Sequence, residues 1–180
     1  MVAGRGEADD AASERVAEGD AASLTIVRAG ATDRRPPFKF SAFTRVGFSD
    51  TDAQGIVYYG RYLPYFDLAR VEYSRFLGLL GVGGVEGQFV MRACTIEYLA
   101  PARFDDALEV FVRHVRLGRT SASWECAAYR RDDDVLMVTA RQTLVFVDRI
   151  ERRARPIPAS YRETALAFEG DDCESVGFPE

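Results

Sequence analysis

Phe48-Ser49-Asp50-Thr51-Asp52-Ala53-Gln54-Gly55-Ile56-Val57-Tyr58-Tyr59, followed at once by the amphipathic stretch Arg61 to Leu77, decides how this chain is read. Asp, Thr and Gly in that order make a turn, because Asp side chains bond to their own backbone and Gly accepts positive φ. The stretch after the turn has a helical period. Tyr62, Tyr65, Phe66, Ala69, Tyr73, Phe76 and Leu77 recur at i, i+3, i+4, i+7, i+11, i+14 and i+15, and Leu63, Leu68 and Val71 widen the stripe. Pro64 falls in the first turn, where its missing N–H is tolerated, and Gly78 stands where a left-handed cap ends the helix. The turn therefore lays carboxylates at the mouth of a helix, where the first N–H groups lack intrahelical partners and the dipole favours negative charge. An oxyanion can be held there.

Outward from this junction, Phe38 to Val46 alternates aromatic and polar residues as a half-buried first strand does. Beyond a Gly-rich link at 78–87 the sequence predicts four more strands, Phe89–Leu99, Ala107–Leu117, Thr120–Tyr129 and Val135–Val147. Gly118-Arg119 and Arg131-Asp132-Asp133-Asp134 are short enough to be hairpin turns, so the sheet is largely antiparallel. One helix set on five such strands is an α+β layer architecture. Tyr161–Phe168 predicts a short terminal helix. Residues 1–36, small and acidic and ending in Asp33-Arg34-Arg35-Pro36-Pro37, read as a disordered extension, with Leu24-Thr25-Ile26-Val27 as an optional short strand; residues 169–180 read as an acidic tail. The globular domain is expected over 37–168.

With 180 residues, 47% of them hydrophobic, the chain suffices for one domain with a sizeable core. A net charge of −5 excludes wholesale nucleic-acid binding, which calls for a basic domain. No apolar run approaches the ~20 residues that span a bilayer, and the N-terminus lacks the apolar block of a secretory signal, so a cytoplasmic protein is expected. Cys94, Cys126 and Cys173 are odd in number and far apart, which suggests reduced thiols, the first two in the core, and neither a disulfide framework nor a metal site. The glycines at 78, 81, 83, 84 and 87 follow a helix and lack a P-loop Lys, so they read as a link, not a phosphate cradle.

The run from Phe48 to Tyr59, continued by Tyr62, Phe66-Asp67 and Ala69-Arg70, resembles the signature of the 4-hydroxybenzoyl-CoA thioesterase-like acyl-CoA thioesterases over about residues 38–165. The resemblance implies a hotdog fold, a five-stranded antiparallel sheet wrapped around a long central helix. It implies hydrolysis of an acyl-CoA or acyl-carrier-protein thioester to a carboxylate and a thiol, with coenzyme A as part of the substrate, no other cofactor and no metal. It also implies a homodimer or homotetramer. Carried over by position, the essential carboxylate is Asp52 and the amide that polarises the thioester carbonyl is that of Tyr59. Two other classes stay open: a non-catalytic acyl-CoA or carrier-protein binding module, and a hotdog dehydratase or hydratase.

Chemistry and local structure compete at each site residue. Asp52 serves as nucleophile or as base for water, while Asp50 reads as a turn or capping group. Gly55 serves the tight turn, and Val57, Tyr58 and Tyr59 either line an acyl site or join the core. Asp67 either lines the site or makes a surface pair with Arg70. Arg116, Arg119, Thr120 and Ser121, at a hairpin, match the family region that approaches nucleotide phosphates, against ordinary solvated charges as the alternative. Arg152-Arg153-Ala154-Arg155 is a second basic cluster without an assigned place. His114 reads as a satisfied or exposed strand histidine, since no G-x-S-x-G elbow or triad partner accompanies it.

Overall fold

The computed structural model describes residues 28–82 and 87–176. In chain order its elements are β1 (Ala29–Arg35), β2 (Phe38–Arg45), α1 (Tyr62–Phe76), β3 (Gly87–Tyr98), β4 (Ala107–Leu117), β5 (Ser121–Arg130), β6 (Leu136–Asp148), α2 (Ala159–Glu169) and β7 (Glu174–Ser175). The sheet runs β1-β2-β4-β5-β6-β3, every neighbour antiparallel, with β7 added parallel to the end of β4. This is the expected α+β hotdog arrangement with seven strands in place of five.

Alternation explains the layering. On β4, Leu108, Val110, Val112 and His114 turn inward and are fully buried, as are Phe40 and Ala42 on β2. Trp124, Cys126 and Ala128 on β5 and Val138, Ala140 and Leu144 on β6 complete the inner face. Against it α1 sets the stripe read from the sequence: Tyr62, Tyr65, Phe66, Ala69 and Tyr73 are all buried. The helix ends at Gly78, whose φ of 69° is the left-handed cap. β3 is the exception, an edge strand exposed along Met91–Thr95.

Two expectations about the ends are corrected. Ala29–Arg35 is a strand and not part of a disordered extension, because its charges have buried partners. Glu109, only 2% exposed on the outer face of β4, accepts hydrogen bonds from Arg34 and from Ser41 Oγ at 2.9 Å, while Arg35 lies 3.5 Å above the ring of Tyr129. Residues 1–27, with the optional strand at 24–27, lie outside the described residues. Nor does an acidic tail begin at 169. Glu169 is fully buried, its Oε1 accepting from the hydroxyl of Tyr73 at 2.8 Å and from the amide of His114 at 2.9 Å. Burial raises its pKa despite those bonds. Lys39 Nζ sits 3.1 Å from Asp172, and Glu174–Ser175 pair with Arg116–Leu117. Residues 177–180 lie outside the described set. Among the cysteines, Cys126 is buried as expected but Cys94, on the β3 edge, is exposed.

His114 is completely buried. Its ring stacks on Trp124 with centroids 3.6 Å apart, and Nε2 meets the hydroxyl of Tyr161 at 3.1 Å. Desolvation lowers its pKa from 6.5 to about 3, helped by the positive charge of Arg70. Between those pH values the unfolded chain binds a proton that the native protein refuses, so this residue's contribution to stability is full above pH 6.5 and declines as pH falls toward 3. Chemical denaturation of wild type and His114→Phe from pH 7.5 to 4 checks this. Stability should fall more steeply with acid in wild type than in the variant, by up to one proton's worth of slope; parallel curves contradict it.

Candidate active site

The segment between β2 and α1 is built around Asp50, not Asp52. Asp50 closes a tight turn opened by Gly47, its N–H donating to the carbonyl of Gly47 at 3.0 Å and its Oδ2 accepting from the Gly47 amide at 2.9 Å. The same carboxylate takes a bond from Tyr65 Oη at 2.6 Å and from Arg61 Nε at 2.7 Å. Burial by itself raises the pKa of Asp50, but these bonds outweigh it and the net shift is downward. Tyr65, desolvated by burial and donating a hydrogen bond to Asp50, has its pKa shifted up. Asp50 is thus a structural clamp between the turn, the helix entrance and the first turn of α1.

Past the clamp, a small hairpin presents Asp52. Thr51 bridges Val57, the Asp52 amide donates to the carbonyl of Ile56 at 2.9 Å, and Gly55 closes the turn onto the carbonyl of Asp52 at 3.0 Å. Gly55 has φ of 74°, where a side chain is strained, which accounts for glycine there. Asp52 Oδ1 accepts the Gln54 amide at 2.8 Å, so the carboxylate is held by its own turn.

The chain then enters the helix through a 3-10 turn, Tyr59–Arg61. The Tyr58 amide is used by the carbonyl of Asp50 at 2.9 Å and the Arg61 amide by the carbonyl of Tyr58 at 2.8 Å. Tyr59, as first residue of the turn, keeps an amide with no intrahelical acceptor. Its carbonyl is fixed by Tyr98 Oη at 3.1 Å. Asp52 and Tyr59 border one cavity of about 410 Å³, closed by Ile56, Val57, Tyr62, Tyr98 and the Leu99–Pro101 segment. Tyr62 Oη accepts the Ala102 amide at 3.3 Å, and the Val57 amide donates to the carbonyl of Ala102 at 2.8 Å, which lashes that wall to the loop.

The expected site residues divide accordingly. Asp52, Val57 and Tyr59 come together at the cavity. Gly55 shapes the turn, and Tyr58 leans on Tyr59 with ring centroids 4.2 Å apart. Asp67 is outside the cavity, its half-exposed carboxylate paired with Arg70. Arg116, Arg119, Thr120 and Ser121 stand at the far end of β4. Ala107 at its start pairs with Arg45 beside the loop, and the ten residues to Leu117 span roughly 33 Å. Arg116 faces Glu174 at 3.5 Å, and the carbonyls of Arg119 and Thr120 accept Ile157 and Phe146 amides. Within one chain these four cannot share the Asp52 cavity, because β4 holds the two ends apart. Sequence reading missed Tyr98 and Leu99–Pro101; they join the site only through the pairing of β3 with β6 and left no local signal.

Among the described residues there is no group of three or more His, Cys, Asp or Glu able to hold a metal, and no helix long and apolar enough to cross a membrane.

Known proteins share this chain's sequence pattern and fold. The family described as the thioesterase-like superfamily matches residues 46–165. The acyl-CoA thioester hydrolase YbgC of Escherichia coli O6:H1 is 32% identical over 118 residues, 64% of this chain and 87% of that protein. A crystal structure of a thioesterase complexed with coenzyme A and Zn from Thermus thermophilus superposes with a TM-score of 0.61 at 31% identity, covering 71% of this chain and 94% of that one. A probable thioesterase from Bartonella henselae gives a TM-score of 0.60 at 32% identity, over 66% and 96% of the two chains.

The clamp yields a prediction. Asp50→Ala leaves Tyr65 buried without its acceptor and Arg61 without its anion, so it should lower stability by about 2–3 kcal/mol and loosen the loop that carries Asp52. Thermal unfolding with amide hydrogen exchange of residues 47–61 checks it; unchanged protection there would contradict the assigned role.

Proposed function

The chain belongs to the thioesterase-like superfamily, and on that premise we propose that it hydrolyses acyl-CoA thioesters with Asp52 as the reacting carboxylate and the Tyr59 amide as an oxyanion donor. The observation that carries the proposal is that a turn-fixed carboxylate and an unpaired helix-entrance amide border the same cavity. A donor aimed at the charge growing on the carbonyl oxygen is typically worth ~3–4 kcal/mol of transition-state stabilisation.

Two routes share this geometry. In one, an Asp52 oxygen attacks the acyl carbon, the C–S bond breaks, coenzyme A leaves as thiolate and picks up a solvent proton, and water opens the mixed anhydride. In the other, Asp52 takes a proton from water as the water attacks, and the tetrahedral intermediate expels the thiolate, which takes the proton. Neither needs a strong general acid or a cofactor beyond the coenzyme A of the substrate. A carrier-protein thioester presents the same reacting group. The hydratase reading loses its base, since His114 is buried, bonded to Tyr161 and remote from Asp52.

We further propose a homodimer through β3. An exposed edge strand 12 residues long offers unpaired backbone groups that a second copy can satisfy. Antiparallel pairing about a two-fold axis lays the Gly87 end of one β3 beside the Tyr98 end of the other. It thereby carries the partner's β4–β5 turn, with Arg116, Arg119, Thr120 and Ser121, toward the Asp52 cavity, so that those residues meet the nucleotide phosphates in trans.

Purified protein with a panel of acyl-CoAs and a thiol reagent tests the reaction. Wild type should release free coenzyme A, and Asp52→Asn should lower kcat/KM by about 10²–10⁴-fold at unchanged thermal stability. Binding without turnover in wild type would favour the non-catalytic module. For the assembly, Thr95→Pro on the β3 edge should convert a dimer into monomers by light scattering and lower activity with it.

A further inference from the structure

The turn Tyr59–Arg61 that leads into α1 is not capped in the ordinary way. Tyr58, at its N-cap, makes no side-chain capping bond, and the first turn holds no acidic residue. A Ser, Asp or Asn at that position steadies a helix entrance by accepting one of the first amides, and so uses it up. Here the bonds fall on the carbonyls instead. The Tyr58 carbonyl accepts the Arg61 amide at 2.8 Å, and the Tyr59 carbonyl accepts the Tyr98 hydroxyl at 3.1 Å. The entrance is held by its acceptors, and the Tyr59 N–H stays unspent.

Tyr98 delivers that hydroxyl from a fixed place. It is the last residue of β3, opposite Val138 on β6, and just beyond it the amides of Leu99 and Ala100 donate to the Met137 carbonyl at 2.9 and 3.1 Å. Its ring meets Tyr62 edge-on with centroids 6.0 Å apart. On either side of the Tyr59–Gly60 peptide the chain is tied to the Asp50 clamp, through the Tyr58 amide and through the Arg61 guanidinium. The peptide itself has little to pack with. Tyr59 is 62% exposed, and residue 60 is a glycine, where a Cβ would meet the Tyr58 ring at 3.0 Å. The bond from Tyr98 is what joins this peptide to the sheet.

We infer that Tyr98 is a positioning residue for thioester hydrolysis: its hydroxyl holds the Tyr59 carbonyl, which keeps the Tyr59 amide in place at the Asp52 cavity without consuming it in a cap. The inference rests on the hydrolytic reading. An oxyanion donor works by being fixed before charge develops, and a shift of ~1 Å can cost 10²-fold in rate. Loss of the hydroxyl should therefore slow the chemical step and leave ground-state binding as it was.

Tyr98→Phe keeps the ring against Tyr62 and removes only the hydroxyl, and Tyr98→4-aminophenylalanine puts an N–H donor back at the same position. On an acyl-CoA that wild type hydrolyses, Tyr98→Phe should lower kcat about tenfold or more, with KM and the Kd of a non-hydrolysable thioether within about twofold and thermal unfolding nearly unchanged. The amino variant should recover most of the lost kcat. Amide relaxation should show the order parameters of Tyr59 and Gly60 falling from about 0.85 toward 0.6 in Tyr98→Phe while that of Tyr65 stays high. Unchanged kcat, a loss of kcat that merely follows a loss of stability or of thioether binding, or no recovery with the amino group overturns the inference while hydrolysis stands. Order parameters that stay high in Tyr98→Phe overturn it whatever the activity. No release of coenzyme A by wild type from any thioester would defeat the hydrolytic reading and the catalytic role of Tyr98 with it, and a loosened Tyr59 in Tyr98→Phe would then leave only the hold on the helix entrance.

Discussion

The buried carboxylate of Asp50 is the constraint on which the site depends. Four donors from three places converge on it: the Gly47 amide in the turn, two nitrogens of Arg61 at the helix entrance and Tyr65 in the first turn of α1. An anion withdrawn from water needs such partners, and satisfying them fixes where the chain enters the helix. Asp52 two residues later and Tyr59 nine residues later inherit their positions from that anchor. The Asp52 carboxylate, the group proposed to react, stays at the border of the cavity, tied to its own turn.

A second buried carboxylate, Glu169, organises the opposite end. It joins α2 to Tyr73 of α1 and to the His114 amide of β4, so the C-terminal segment is part of the fold and not an appendage. Between these two anchors α1 lies along the inner face of the sheet. Two cavities flank it at opposite ends, one beside Asp50 and the other beside Tyr161, a hydroxyl held by His114. β3 runs from one end of α1 to the other and is open along its outer edge, which is why the pairing proposed for it would bear on the proposed chemistry.

Much of this was legible from residue order. The α1 stripe from Tyr62 to Tyr73, its end at Gly78 and the alternation on β2 and β4 need only the helical and strand periods. Asp50 as a turn residue and Asp52 as the carboxylate left for the site follow from turn chemistry together with family likeness, whereas the bonds of Asp50 to Arg61 and Tyr65 do not. The misreadings share one cause. Asp33-Arg34-Arg35 and Glu169 look like solvated charge in the sequence, but Glu109 and Tyr129 wait for the first, and Tyr73 and His114 for the second, from 55 to 96 positions away. Composition cannot distinguish a charge that solvates from a charge that finds a buried partner.

By itself the sequence determined both helices, five of the seven described strands and the turn that presents Asp52, because each depends on residues within a few positions of one another. Only the tertiary structure decided that Tyr98 and Leu99–Pro101 close the cavity, that Arg116 to Ser121 stand at the far end of β4, and that Gln142 and Arg70 keep buried polar atoms unpaired. Those facts depend on strand register and on α1 covering the sheet, which bring together groups whose separation along the chain carries no trace of their separation in space.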